Sequence, residues 1–278
     1  GFGVRVTSLP GDASEAQRRL CEARVGELQR RCAEGRAGAQ GVQATLRLLL
    51  GCSLDVALAA SRAEEIAAWR DRSAMGELRE RLRVQMQAPV VRLPYQQDVD
   101  RLMVLNPCAF VAAGGGPVSL WHVGTVNASA ASSVSPEALR GWSCGVFEYV
   151  DLWLTELSES TGHLAGHIQI FSLTGMSFWH VSNSALLEKL KLAFSAGEFY
   201  LEAVSHIYIV NSSSLFSMAW SLVKGLISPR TAAKVSVDSG VPPELLAALT
   251  ADSAAKLRQM LKSPQPTWPV MRPMPRKK

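Results

Sequence analysis

The stretch from Glu198 to Asp238 constrains the fold more than any other. It opens with a short apolar run, Ile207, Tyr208, Ile209 and Val210, inside a strand expected from His206 to Asn211. A run of that length, β-branched and aromatic, suits a strand buried on both faces. Asn211 and Ser212 to Ser214 then offer N-cap side chains for a helix over about Leu215 to Ile227. Its only polar residues, Ser217, Ser221 and Lys224, fall at i, i+4 and i+7, a narrow stripe on one side. A helix apolar nearly all round faces protein or lipid rather than water. Pro229 stops it, and a second strand follows at about Ala233 to Val237.

The same alternation runs backward through the chain. Strands are expected at Val118 to Val123 and Leu164 to Leu173, and helices at Ser135 to Glu159 and Trp179 to Ala196. Ser135-Pro136-Glu137 is a good helix start, with an N-cap, a proline at N1 and an acid in the first turn. Strands separated by helices imply crossover connections and a mainly parallel sheet, so the fold class is α/β. Before the sheet the chain is helical. Asp12 to Glu34 carries a thin apolar stripe (Leu20, Val25, Leu28) and reads as a marginal surface helix. Thr45 to Arg70 reads as two helices meeting near Gly51-Cys52-Ser53, and Ser73 to Gln87 as a charged, solvated helix. Gln87 to Pro107, with three prolines, reads as an irregular connection. Pro242-Pro243-Glu244 starts a C-terminal helical region, and Ser263 to Lys278 reads as a proline-rich, basic, disordered tail.

Several pieces, in this order, resemble the CRAL-TRIO lipid-binding family, the module of phosphatidylinositol/phosphatidylcholine transfer proteins. Leu46-Arg47, Leu54-Asp55-Val56 and Trp69-Arg70 match its N-terminal helices. Gly116-Pro117-Val118, with Gly124, Val126 and Asn127, matches its first strand, and His163-Leu164, Ile170, Leu173 and Gly175 its next. Leu201-Glu202, Ile209-Val210-Asn211, the apolar helix, and Thr231-Ala232-Ala233-Lys234-Val235 match the remainder. The resemblance implies a sheet forming the floor of a deep apolar lipid pocket, a gate helix over its mouth and a small all-helical N-terminal module outside. The expected organisation is an N-terminal segment 1–40, a helical module 41–95, a lipid-binding domain 96–262 and the tail 263–278. The resemblance assigns Glu202, Thr231 and Lys234 to a lipid headgroup site; on chemistry alone, a surface ion pair beside a strand serves equally well. It makes Phe216, Trp220, Val223 and Leu226 gate residues. Ser119, His167, Gln169 and Phe171 would line the pocket, the middle two where a phosphatidylcholine-holding member has small hydroxyl residues. One arginine that helps at the headgroup in phosphatidylinositol-binding members is Cys52 here.

Other chemistry is weaker. Gly141-Trp142-Ser143-Cys144-Gly145 is a literal GxSxG, but a nucleophile elbow needs a strand before the serine, and here helical periodicity runs through it. Gly114-Gly115-Gly116-Pro117 lacks the lysine of a phosphate loop. His163 and His167, four apart in an extended segment, stand about 13 Å apart, too far for one metal ion. No cofactor or metal is expected. The five cysteines are scattered and odd in number, which favours a reducing compartment. Much of the net charge of +5 is terminal, so nucleic-acid binding is not indicated. The sequence begins at Gly1, which leaves open what precedes it.

The expectation is a non-enzymatic, cytoplasmic, transiently membrane-associated monomer. It would take one phospholipid, phosphatidylinositol or a related lipid, into a gated pocket and exchange it between membranes. A lipid-sensing scaffold that transfers nothing is the alternative, and an esterase using Ser143 the remote one.

Overall fold

The computed structural model describes residues 15–35, 37, 41–88, 91–127, 130, 133–213, 220 and 229–264. Its centre is a five-stranded sheet in sequential order: β1 (Val104–Val111), β2 (Pro117–His122), β3 (His167–Ser172), β4 (Val204–Val210) and β5 (Val235–Val237). β1 lies antiparallel to β2 at one edge, and the other pairings are parallel. The expected mixed α/β fold with a mostly parallel sheet is the observed one.

Register decides which side chains share a face. Ser119 pairs with Gln169 and Trp121 with Phe171; Gln169 and Phe171 in turn pair with Ile207 and Ile209. Helices α6 (Pro136–Thr161) and α8 (Ser184–Phe194) cover part of that face, with Trp121 buried among Trp142, Phe171 and Phe194. The opposite face carries Val118, Leu120, Ile168, Ile170 and Tyr208. It is covered by α10 (Pro243–Ala247) and α11 (Ala251–Lys262), which insert Leu245 and Leu257.

The connection from Gln87 to Pro107 is more regular than expected. It contains α5 (Gln96–Leu102) and most of β1. Pro107 sits where the β1–β2 register shifts, at a bulge in an edge strand, the one setting in a sheet that tolerates a residue without an N–H. Cys108, beside it at φ +52°, turns its N–H away from the ladder and donates it to Ser119 Oγ at 2.8 Å. The single helix expected from Trp179 to Ala196 is two, α7 (Phe178–Ser182) and α8. Asn183 breaks it by accepting the Leu186 N–H and capping α8.

The N-terminal helices are α1 (Glu15–Glu34), α2 (Val42–Gly51), α3 (Val56–Arg72) and α4 (Met75–Gln85). The apolar stripe of α1 is broader than expected. Cys21, Val25, Leu28 and Cys32 are all buried, against Leu46, Leu49, Ala59 and Ala63. Two cysteines complete the i, i+4, i+7, i+11 spacing and dock the helix. α4 buries Met75, Leu78 and Leu82 in the same core as α6.

Charges join these helices to the sheet domain. Glu148 of α6 is fully buried and accepts from Arg70 of α3 at 2.9 and 3.0 Å, from Arg79 of α4, and from the Tyr200 hydroxyl. Burial pushes the Glu148 carboxyl up, but the Arg70 hydrogen bonds and the charges of Arg70 and Arg79 outweigh it and hold it below its ordinary value. On α2, the buried Arg47 donates to the carbonyls of Glu202 and Ala165, tying α2 to the lead-in segments of β4 and β3. Breaking one partner of a buried pair leaves an uncompensated charge and costs about 3–5 kcal/mol. Glu148→Gln is therefore expected to lower Tm by roughly 5–15 °C, measured by calorimetry. A change within a degree would mean that the network does not join the layers.

Candidate functional site

Four of the residues singled out from the sequence, Ser119, His167, Gln169 and Phe171, stand side by side on the face under α6 and α8. Ser119 is fully buried, and His167 and Gln169 nearly so. Ser119 Oγ lies 2.8 Å from His167 Nε2. It accepts the Cys108 N–H, so it retains a proton to share with the imidazole. His167 Nδ1, Trp121 Nε1 and the Tyr149 hydroxyl are buried with no hydrogen-bond partner. Buried polar groups normally find partners, so three unpaired ones on and above one sheet face mark a place where ligand or water is expected. Phe171 is half-buried against Trp121 and Phe194.

Further along the same face the floor becomes apolar. Leu173, Ile207 and Ile209 form a small cluster with Val235 and Trp220 against them. Trp220 is the one expected gate residue that is described, helical and half-buried. Phe216, Val223 and Leu226 lie outside the described residues.

Beside this floor stands a compact ionic site. Glu202 precedes β4 in the left-handed conformation, φ +54°, which turns its carboxylate toward the β4–β5 connection. The short helix α9 (Pro229–Ala232) carries Arg230 and Thr231, and Lys234 follows it. Lys234 Nζ donates to Glu202 Oε2 at 2.9 Å and to the Val204 carbonyl at 2.7 Å. Arg230 Nε pairs with the other carboxylate oxygen. Glu202, 14% exposed, and Lys234, 23% exposed, are substantially shielded, while Arg230, 45% exposed, reaches solvent. Thr231 is half-buried on the same turn. The structure thus brings Glu202, Lys234 and Thr231 to one place and adds Arg230, which the sequence reading missed. Its signal was the four-residue spacing to Lys234, with Thr231 between them. Gly51, at the end of α2, lies against Leu201, and the Arg230 charge is felt at the Cys52 thiol, whose pKa is pushed up chiefly by burial. One carboxylate held between two cations leaves a net positive site able to receive a phosphate.

The GxSxG sequence has a structural cause. Ser143 is buried in the middle of α6, where its Oγ accepts the Ala196 N–H at 3.1 Å. A Cβ on Gly141 would come within 2.5 Å of the Tyr95 ring, and one on Gly145 within 2.5 Å of Pro94 Cδ. The glycines let the segment before α5 lie directly on the helix. The residues leading into the serine, Pro136 to Trp142, are helical rather than a strand, so the elbow geometry is absent. Among the described residues no group of three or more His, Cys, Asp or Glu stands where it could hold a metal ion. None of the described helices is by itself long and apolar enough to cross a membrane.

Comparison with known proteins agrees with this geometry. The family model for the CRAL/TRIO domain matches residues 113–253. A stretch of 70 residues, 25% of this chain, is 29% identical to the phosphatidylinositol/phosphatidylcholine transfer protein SFH9 of Arabidopsis thaliana, of which it covers 12%. The crystal structure of Sfh5 superposes with a TM-score of 0.56 at 12% identity, over 90% of this chain and 98% of that one, a likeness of fold.

The buried histidines give a pH signature. Burial lowers His122 to about 4 and His167 to about 3, against an ordinary value of 6.5. The unfolded chain therefore binds protons that the folded chain refuses. This contribution to stability is complete above pH 6.5 and is lost as pH falls toward the folded values. Asp100, raised to about 6 chiefly by burial, works in the opposite sense, so the His167 share is read as a difference. Between pH 7 and 5, Tm is expected to fall less steeply in His167→Gln than in the parent chain. Equal slopes in calorimetric scans would show that His167 is not held neutral.

Proposed function

The chain belongs to the CRAL/TRIO domain family, and from that premise we propose that it binds one phospholipid on the β3–β4–β5 face and exchanges it between membranes. The ligand is phosphatidylinositol or a closely related lipid, and the chain acts as a transiently membrane-associated carrier in the cytoplasm. The observation that carries this reading is the Glu202 carboxylate held between Lys234 and Arg230 at the edge of an apolar floor made by Leu173, Ile207 and Ile209, with Trp220 packed against it.

Each part has a physical role. Two acyl chains of about 16 carbons would cost roughly 25 kcal/mol to strand in water, so a dry apolar floor makes exchange with a bilayer nearly neutral. Selection then falls to a few polar contacts. Lys234 is a compact phosphate partner, and Thr231 adds a hydroxyl. Glu202 orients the lysine and can accept from a sugar hydroxyl. Arg230 pairs with Glu202, and its charge acts on the Cys52 thiol. In this reading it supplies the guanidinium that the resembled headgroup pattern would draw from position 52. Ser119, His167 and Gln169 form a second, neutral polar patch on the same face. It is bulkier than a pair of small hydroxyls, which favours a different second ligand from phosphatidylcholine. The gate function of the segment around Trp220, with Phe216, Val223 and Leu226, belongs to the same proposal.

Transfer of fluorescent phosphatidylinositol between vesicles tests the headgroup site. A charge-assisted contact contributes about 1.5–3 kcal/mol, so Lys234→Ala and Arg230→Ala are each expected to weaken phosphatidylinositol binding by about 10- to 100-fold. A neutral fluorescent lipid should be held as before. Equal loss of both lipids would point to collapse of the fold. Unchanged phosphatidylinositol binding in both variants would remove the headgroup site.

A further inference from the structure

A concave surface lies away from the sheet face, where the N-terminal helices meet α6. It is a groove of about 500 Å³. Trp69 near the end of α3, Tyr95 just before α5, and Phe199 in the 3-10 turn Ser195–Phe199 supply three aromatic rings. Trp69 and Phe199 stack at 4.1 Å, the Arg62 guanidinium lies over the Phe199 ring at 5.5 Å, and Tyr95, 43% exposed, lies over Gly141, so the open ring faces are those of Tyr95 and Trp69. Glu137 and Glu198 stand on the walls, both exposed, together with Arg140. The Tyr95 hydroxyl lies 3.4 Å from Glu137 Oε1. An aromatic groove with carboxylates at its rim is the chemistry that recognises a proline-rich segment flanked by basic residues. Proline rings lie on the aromatic faces, the extended helix loses little entropy on binding, and the carboxylates pair with the flanking cations.

This chain carries such a segment. Residues 265–278 contain Pro266, Pro269, Pro273 and Pro275, four cations (Arg272, Arg276, Lys277, Lys278) and no acid. The path to the groove is short. At the start of α11, Ser253 Oγ accepts the Val111 N–H, and Lys256 then donates to the Ala109 carbonyl, so the helix runs back along the edge strand β1. From Ser253 to Lys262 it advances about 14 Å toward the Val104 end of β1. That end is where α5 enters, with Tyr95 just before it. Fourteen residues at about 3.1 Å each give a reach of about 43 Å in a polyproline helix. That exceeds the length of α5, about 10 Å, plus the two layer spacings of about 10 Å each between α11 and α6, which lie on opposite faces of the sheet.

We propose that residues 265–278 dock in the groove of Trp69, Tyr95 and Phe199, with the basic side chains beside Glu137 and Glu198. Arg140 sets the direction, since it repels cations from its own stretch of the wall. This surface is independent of the lipid site.

A photo-crosslinking benzoylphenylalanine in place of Met274, ten residues past Pro264 and so within about 31 Å of it, tests the proposal in the full chain. After irradiation, crosslinks within the monomer are expected on peptides containing Tyr95, Trp69 or Phe199, read by mass spectrometry. Glu137→Gln with Glu198→Gln, both solvent-exposed and outside the buried network, should lower the yield at least three-fold without moving Tm. Crosslinks that form only between chains, that map to other surfaces, or whose yield ignores the two substitutions would overturn it.

Discussion

One buried carboxylate holds the architecture together. Glu148 sits at zero exposure inside α6 and is met by a guanidinium from each of two N-terminal helices and by a hydroxyl from the turn before β4. A lone buried carboxylate would be pushed toward its neutral form; here Arg70, Arg79 and Tyr200 keep it charged. Such an arrangement is weak evidence for stability in itself, because dry hydrophobic packing of the same volume often does as well. What it supplies is geometry. The fork-shaped donors fix the azimuth of α3 and α4 on α6, and Arg47 fixes α2 on the strand lead-ins in the same way.

The consequence reaches the candidate site. Arg47 binds the Glu202 carbonyl while Lys234 and Arg230 bind the Glu202 carboxylate. One residue in a left-handed turn is thus gripped from the N-terminal helices on its backbone and from the β5 side on its side chain. The ionic site is therefore assembled across three parts of the chain, and it meets the apolar floor at Ile207, three residues into β4. The family to which the chain belongs gives the frame, and within it Arg230 pairs with Glu202.

Much of this was legible in the sequence because period and punctuation agreed. The apolar run at Ile207 to Val210 and the Ser135-Pro136 start of α6 each have one physical reading, and each stands where the reading put it. The helix end expected before Pro229 lies outside the described residues, and Pro229 itself opens α9. The shared face of Gln169 and Phe171 also followed from strand alternation, whereas their pairing with Ser119 and Trp121 is set by a register that alternation leaves open. The misses have physical causes. Pro107 argued against a strand, yet an edge bulge tolerates it, and the Cys108 N–H finds Ser119 Oγ instead of a ladder partner. Cys21 and Cys32 did not count as apolar, so the α1 stripe looked thin. Glu148, Arg70 and Arg79 read as ordinary helix charges, because contacts across about 70 residues leave no local trace. GxSxG meant close packing of Pro94 and Tyr95 on two glycines, which only the neighbouring segment reveals.

The central claim is that the sheet face holds a lipid. Native mass spectrometry of the purified chain, with organic extraction of whatever accompanies it, tests this most directly. The account predicts one lipid per chain, released on denaturation and identified as phosphatidylinositol or a close relative. A chain that is recovered empty, and that stays empty after incubation with vesicles containing phosphatidylinositol, would contradict it.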